Sequence, residues 1–205
     1  MPKTEVRNAI ELLRSDHEKV KGLFAQFEKA RDFRSKKKFA QGAITELKVH
    51  AKVEEEVFYP AVRKEIDDKF VMNEANEEHH VAKVLIAELD NIEGNNEGFE
   101  AKFTVLAENV RHHIKEEEGT MFPKVKKAHV DLDSLGMKMS QRKEELMAHG
   151  VPPTEEEDMV KSALSDRGSP AEVGAEPGER SRSMVSEGRP GSKNGPNEKG
   201  EIPHE

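Results

Sequence analysis

Apolar residues recur every three to four positions from the start of the chain to about His149, the period of helices with one buried face. Ile10, Leu13, Val20, Leu23, Phe24 and Phe27 mark a first helix. Ser15 and Asp16 are cap-type residues inside it, so a fresh start just before His17 stays open as an alternative. Phe39, Ile44, Leu47 and Val57 carry a second helix from about Ser35 to Tyr59, which Pro60, lacking an N–H, is expected to end or kink. A third is predicted from about Asp67 to Ile92, stopped by the turn-forming run from Glu93 to Gly98. Phe103, Leu106, Val110 and Ile114 place a fourth from about Phe99 to Phe122, which again meets a proline, Pro123. A short amphipathic helix comes next, from Ser134 to His149. No segment shows convincing strand alternation, so the predicted class is all-α.

The same pattern occurs twice. His50 is followed by Glu54 and then Tyr59-Pro60; His113 is followed by Glu117 and then Phe122-Pro123. Upstream, Asp16-His17 with Leu23, Phe24 and Phe27 matches Glu78-His79 with Leu85, Ile86 and Leu89. His17 lies 33 residues before His50, and His79 lies 34 before His113. An internal repeat of a helical hairpin dictates the architecture. Two hairpins, each with one histidine on its first helix and His-x-x-x-Glu on its second, predict a four-helix bundle. Residues four apart share a helix face, so each second helix aims an imidazole and a carboxylate at one point. The repeat register selects His79 over His80, and His113 with Glu117 over His112 with Glu116.

Composition narrows the chemistry. Among 205 residues there is no cysteine, which excludes disulfides, thiolate metal sites and cysteine nucleophiles. The formal charge of -8 argues against nucleic-acid binding through phosphate neutralisation. The basic run Arg34 to Lys38 is short and reads as a solvated helix start. No apolar run suits a signal peptide or a bilayer span, so no membrane association and a cytoplasmic location are expected. From Gly150 onward there is no aromatic residue, while seven of ten prolines and eight of fourteen glycines fall there. Residues 1–149 are therefore predicted to fold, and 150–205 to form a disordered tail. Within that tail Thr154 to Leu164 is suited to a short helix, and the rest to a tether or a protein-partner motif.

His17, His50, Glu54, His79, His113 and Glu117 thus converge as candidate metal ligands. An isolated His-x-x-x-Glu pair is ordinarily a surface pair worth a few tenths of a kcal/mol. Here the groups fall on the faces that carry the apolar stripe, where unpaired charges cost several kcal/mol each. Metal ligation removes that cost. Imidazole and carboxylate without sulfur suit iron, zinc, copper or manganese. If both glutamates bridge two metals, each metal receives two histidines and two carboxylate oxygens, which leaves positions for small molecules on iron. Glu55, Glu56, Glu116 and Glu118 are expected to be solvated or supporting groups. His80 and His112 point elsewhere, and Tyr59, matched by Phe122, is expected to pack. Glu54→Ala or Glu117→Ala is expected to lower metal content, and Glu55→Ala to do little.

Asp-His, His-x-x-x-Glu with Tyr-Pro, Glu-His-His, and His-x-x-x-Glu with Phe-Pro together resemble the hemerythrin-like HHE cation-binding family, over about residues 8–148. The resemblance implies an up-down-up-down bundle around a non-haem di-iron centre that binds oxygen or related small molecules. It implies terminal ligation by His17, His50, His79 and His113, and bridging by Glu54 and Glu117. Oxygen-carrying hemerythrins place a further histidine where this chain has Lys83, and usually an aspartate at five-residue spacing where it has Glu117 at four. The pattern is closer to the sensor and bacterial branches. Ferritin-like sites need Glu-x-x-His on two helices, and among the predicted helices that spacing occurs once, at Glu77 and His80. With positions open for small molecules, the function expected is binding or sensing of oxygen, nitric oxide or iron status; the alternatives are peroxide disposal at the same centre, or a metal-stabilised, stress-related interaction scaffold.

Overall fold

The computed structural model describes residues 8–92 and 97–168. Among them every regular element is helical: α1 (Ala9–Lys29), α2 (Phe33–Val53), α3 (Tyr59–Val62), α4 (Lys69–Asp90), α5 (Glu97–Glu116), α6 (Phe122–Lys127), α7 (Leu132–His149) and α8 (Glu155–Gly168). Two π-helical turns, Glu54–Phe58 and Glu117–Met121, join α2 to α3 and α5 to α6. The four long helices α1, α2, α4 and α5 form an up-down-up-down bundle in which α1 packs chiefly on α2 and α4 on α5. No helix among the described residues is long and apolar enough to cross a membrane.

Side-chain caps set the helix starts. Asn8, Asp32, Asp68 and Asp131 accept from the N–H groups of Glu11, Ser35, Val71 and Ser134 at 2.9–3.1 Å, satisfying donors that have no partner within the helix. With Asp32 as its cap, α2 begins at Phe33, two residues before the start its periodicity suggests. The alternative break near Ser15 does not occur. Asp16 directs its carboxylate to Lys143 and towards His50, so it does not cap, and α1 runs through unbroken.

Pro60 and Pro123 end neither helix. A proline inside an α-helix leaves the carbonyl four residues back without a donor and crowds it. Here the preceding turn widens instead: Tyr59 N–H donates to Glu54 O, and Phe122 N–H donates to Glu117 O, each five residues back. The inserted residue rotates the downstream turn by about 100° relative to a regular helix. Glu54, Phe58, Tyr59 and Val62 are all buried as a result. Both π turns begin on a candidate ligand glutamate.

The bundle core has two halves. One contains Leu13, Val53, Phe58, Met72, Ala75, Met121 and Phe122. The other contains Val20, Phe24, Leu47, Ile86, Phe103, Leu106 and Val110. Along each long helix a candidate ligand separates the two: His17 lies between Leu13 and Val20, His50 between Leu47 and Val53, and His79 between Ala75 and Ile86. On the fourth helix the passage from Val110 to Met121 contains His113 and Glu117. The six residues therefore form a polar layer between two apolar ones.

α7 packs on α1 and α2, where Arg142 Nε donates to Glu56 Oε2 at 2.7 Å. The short helix expected within 154–164 is present as α8, and it is seated on α4. Its cap is Thr154, whose Oγ1 accepts from Glu157 N–H at 3.3 Å. The remainder of the expected tail, 169–205, lies outside the described residues.

Phe103 is fully buried against Phe24 and Phe27. Phe103→Ala is expected to lower stability by about 3–5 kcal/mol, the usual cost of deleting a buried aromatic, as read from urea unfolding of the metal-free chain.

Candidate metal centre

All six predicted residues meet in the polar layer, each buried to at least nine-tenths. Ligand atoms of His17, His50, Glu54 and Glu117 lie within 4.8 Å of one another, as do those of Glu54, His79 and His113. Glu54 belongs to both groups, so the cluster offers two adjoining metal positions that share a carboxylate. The inward atoms approach closely: His50 Nε2 lies 3.2 Å from Glu54 Oε2, His79 Nε2 3.3 Å from the same oxygen, and His17 Nε2 3.2 Å from Glu117 Oε2. His113 Nε2 lies 3.2 Å from His79 Nε2 and 3.6 Å from Glu117 Oε2.

Several of these atoms are buried with no hydrogen-bond partner: His17 Nε2, His50 Nε2, both oxygens of Glu54, and Glu117 Oε2. An unpaired buried polar atom costs about 1–3 kcal/mol, and native proteins leave few of them. A cation in the middle of the layer satisfies all of these lone pairs at once. The residues present fit a pair of metal ions bound through nitrogen and oxygen.

Without a cation the carboxylates are strongly perturbed. Burial, followed by the charge of Glu117, pushes the Glu54 carboxyl well above its ordinary value. Burial also raises Glu117, but the imidazoles of His113, His17 and His50 outweigh it and hold that carboxyl low. Two carboxylates so close cannot both ionise freely in a dry layer.

The outward nitrogens of three of the four histidines are held by carboxylates. His17 Nδ1 faces Glu118 Oε1 at 2.9 Å, and His79 Nδ1 faces Glu55 Oε1 at 3.0 Å. His113 Nδ1 faces Glu78 Oε2 at 2.8 Å, whereas His50 Nδ1 stands 3.7 Å from Asp16 Oδ2, beyond hydrogen-bond distance, and has no hydrogen-bond partner. The pattern obeys the repeat. The residue after each candidate bridging glutamate orients the first-helix histidine of the opposite hairpin, while the residue before each first-helix histidine faces the second-helix histidine of its own hairpin. A carboxylate on Nδ1 fixes the ring tautomer and turns the Nε2 lone pair inward.

Cations back the orienting carboxylates: Lys143 pairs with Asp16, Lys83 with Glu55 at 2.7 Å, and Lys21 with Glu118 at 3.5 Å. Burial raises the Glu55 carboxyl, but His79 and Lys83 outweigh it and hold it down to about 2. The expectation that Glu55 is dispensable does not survive this geometry. Its adjacency to Glu54 was the available signal, but its partner belongs to the other hairpin, and helical spacing says nothing about that. Glu56 pairs with Lys52 and Arg142 and Glu116 with Thr120, away from the histidines. His80 and His112 are more than half exposed and face Glu156 and Glu78.

Tyr59 is a contact the sequence understated. It packs on His79 with ring centroids 5.5 Å apart, as its counterpart Phe122 packs on His17 at 5.9 Å. Its hydroxyl also donates to Glu117 Oε1 at 2.9 Å and lies 3.3 Å from His79 Nε2. Burial, then the charges of Glu117 and Glu54, keep the phenol protonated.

A cavity of about 50 Å³ opens beside the layer, lined by the four histidines and by apolar Val20, Leu47, Ile86, Val110 and Ile114. That suffices for one or two water-sized molecules. Asn109 shares this wall, and its Oδ1 is buried without a hydrogen-bond partner.

Glu55→Ala is expected to weaken metal binding roughly 10–100-fold, the usual penalty for removing an outer partner of a ligating histidine. Glu56→Ala is expected to leave affinity unchanged. Competition with a chromophoric chelator measures both, and equal affinities for the two variants contradict the orienting role.

Comparison with known proteins shows the chain's family and fold. The family model described as Hemerythrin HHE cation binding domain matches residues 8–125. The crystal structure of a hemerythrin HHE cation binding domain-containing protein from Mycobacterium kansasii superposes with a TM-score of 0.60 at 24% identity, covering 70% of this chain and 94% of that one. A fission-yeast protein, described as an uncharacterized hemerythrin-like protein, is 26% identical over 127 residues, 61% of this chain and 63% of its own length. A Nostoc protein named DNA nickase is 30% identical over 122 residues, 58% of this chain and 34% of its own length. The chain thus spans a third and just under two-thirds of these two curated relatives. With the family model covering more than half of its length, the chain belongs to the hemerythrin HHE cation-binding domain family.

Proposed function

We propose that this chain holds two iron ions in the buried layer and serves as a binding or sensing module for oxygen, nitric oxide or iron status. His17, His50, Glu54, His79, His113 and Glu117 would hold the metal through imidazole nitrogens and carboxylate oxygens. The observation that carries this reading is the coincidence of four convergent histidines, unpaired buried carboxylate oxygens and an adjoining cavity of about 50 Å³. Such a cavity admits molecules of a few atoms. When bound, iron supplies exchangeable coordination positions and one-electron redox chemistry. The chain's own part is to orient the imidazoles, exclude bulk water with apolar walls, and offer Asn109 as a polar contact. The activity in the nickase relative's name belongs to that protein, of which this chain spans 34%.

Protein purified aerobically is expected to carry about two irons per chain, as in other paired-carboxylate bundles. Glu54→Ala and Glu117→Ala are expected to carry less. The reduced, iron-loaded form is expected to change its absorption spectrum on exposure to nitric oxide or oxygen. A spectrum indifferent to both gases refutes the binding role.

Tyr59 favours a second reading, peroxide disposal, because its hydroxyl places a retained proton beside Glu117 and His79 at the centre. Two hydrogen peroxide molecules then yield one dioxygen and two waters, one peroxide being oxidised as the other is reduced, with the phenol relaying a proton. Tyr59→Phe, which keeps the ring packing, is expected to slow oxygen evolution at least about tenfold, below the usual contribution of a positioned proton donor. Evolution no faster than that of free iron, and indifferent to His113→Ala, removes this reading.

A further inference from the structure

The four bundle helices do not close the cavity by themselves. Its side between α2 and α4 is completed by Val151, Thr154 and Glu157. This segment is built for a fixed crossing. Gly150 ends α7 with φ of +84°, a conformation that side chains with a Cβ disfavour, and its N–H donates to Leu146 O at 2.9 Å. Pro152 and Pro153 then stiffen the path across the mouth. Thr154 caps α8 through Glu157 N–H, which turns the acidic first turn back towards α2 and α4.

Two carboxylates of that turn hold the segment in place. Glu157 Oε1 accepts from Lys48 Nζ at 2.8 Å, and the same lysine pairs with Asp90 at 2.7 Å. Glu156 Oε1 lies 2.8 Å from His80 Nδ1 and 4.0 Å from Lys83 Nζ. Apolar anchoring is slight: Val160 is the one buried hydrophobic residue of α8 among its described side chains, while Met159 and Leu164 are exposed. The attachment of α8 therefore depends on these charge pairs. They are partly shielded from solvent, where salt screens them less than free surface pairs.

We propose that the segment from Val151 to Glu157, latched by Glu156 and Glu157 onto Lys48, His80 and Lys83, sets the size limit on what reaches the centre. Small ligands of two or three atoms pass, and bulkier molecules, including chelators, are held out. This rests on the reading that the layer binds metal.

The test uses the full chain with Glu156→Gln and Glu157→Gln combined, which removes both charges and keeps side-chain size. In the metal-free protein, amide hydrogen exchange across 155–168 is expected to accelerate roughly tenfold, the scale of two partly shielded ion pairs, with exchange in α1 and α5 unchanged. In the iron-loaded protein, stripping by bathophenanthroline disulfonate is expected to accelerate in proportion, while azide binds at the parent rate. Unchanged exchange in α8 overturns the latch. Faster exchange with unchanged stripping, or equal acceleration for azide and chelator, overturns the size limit. If neither protein retains iron, the metal reading beneath the proposal has failed, and the metal-free exchange data report separately on the latch.

Discussion

Six polar side chains, two of them carboxylates, are confined to one water-excluded layer, and the rest of the molecule is organised around that constraint. Removing a carboxylate from water without a partner costs far more than any single apolar contact returns. Most inner atoms of the layer find no protein partner. The outer nitrogens of His17, His79 and His113, by contrast, are hydrogen-bonded to Glu118, Glu55 and Glu78, with Asp16 3.7 Å from that of His50. A layer braced on its outside and unsatisfied at its centre is arranged for a cation. It also accounts for the division of the apolar core into two clusters, each of which packs one side of the layer.

The repeat gives this layer approximate twofold symmetry, and the departures from symmetry locate its chemistry. Phe122 and Tyr59 cover equivalent histidines, but only Tyr59 brings a hydroxyl to the centre. The two hairpins also acquire different supports. α7 braces the first through Lys143 and Arg142, whereas α8 braces the second through Glu156. The cavity lies on the side that α8 covers. Symmetry thus builds a metal-sized cradle, and the additions outside the repeat decide from which direction it is approached.

The elements and the six convergent residues were legible in the sequence because helical period and an internal repeat report directly on local geometry. His17, His50, His79 and His113 fall at matched positions, and no tertiary knowledge is needed to pair them. Other features required contacts that spacing cannot express. The π turns depend on bonds from Tyr59 to Glu54 and from Phe122 to Glu117, and the sequence signals them only through a proline six residues after each glutamate. Glu55 orients a histidine of the opposite hairpin. The hydroxyl of Tyr59 was masked by its phenylalanine counterpart. The docking of α8 on the bundle, though not its helicity, escaped because it is held by charge and one valine rather than by an apolar stripe.

Lys83 connects these departures. It occupies the position at which oxygen-carrying hemerythrins place another histidine, yet its ammonium is drawn to Glu55 at 2.7 Å and lines the cavity rather than the layer. A lysine whose ammonium is paired with Glu55 supplies no lone pair to the layer. The proposed centre is then one nitrogen poorer, with the cavity beside it. The same ammonium stiffens Glu55, and through Glu55 the ring of His79, while its other side faces Glu156 of α8. One substitution relative to the oxygen carriers thus trades a ligand for a link between the histidine shell and the segment that closes the cavity.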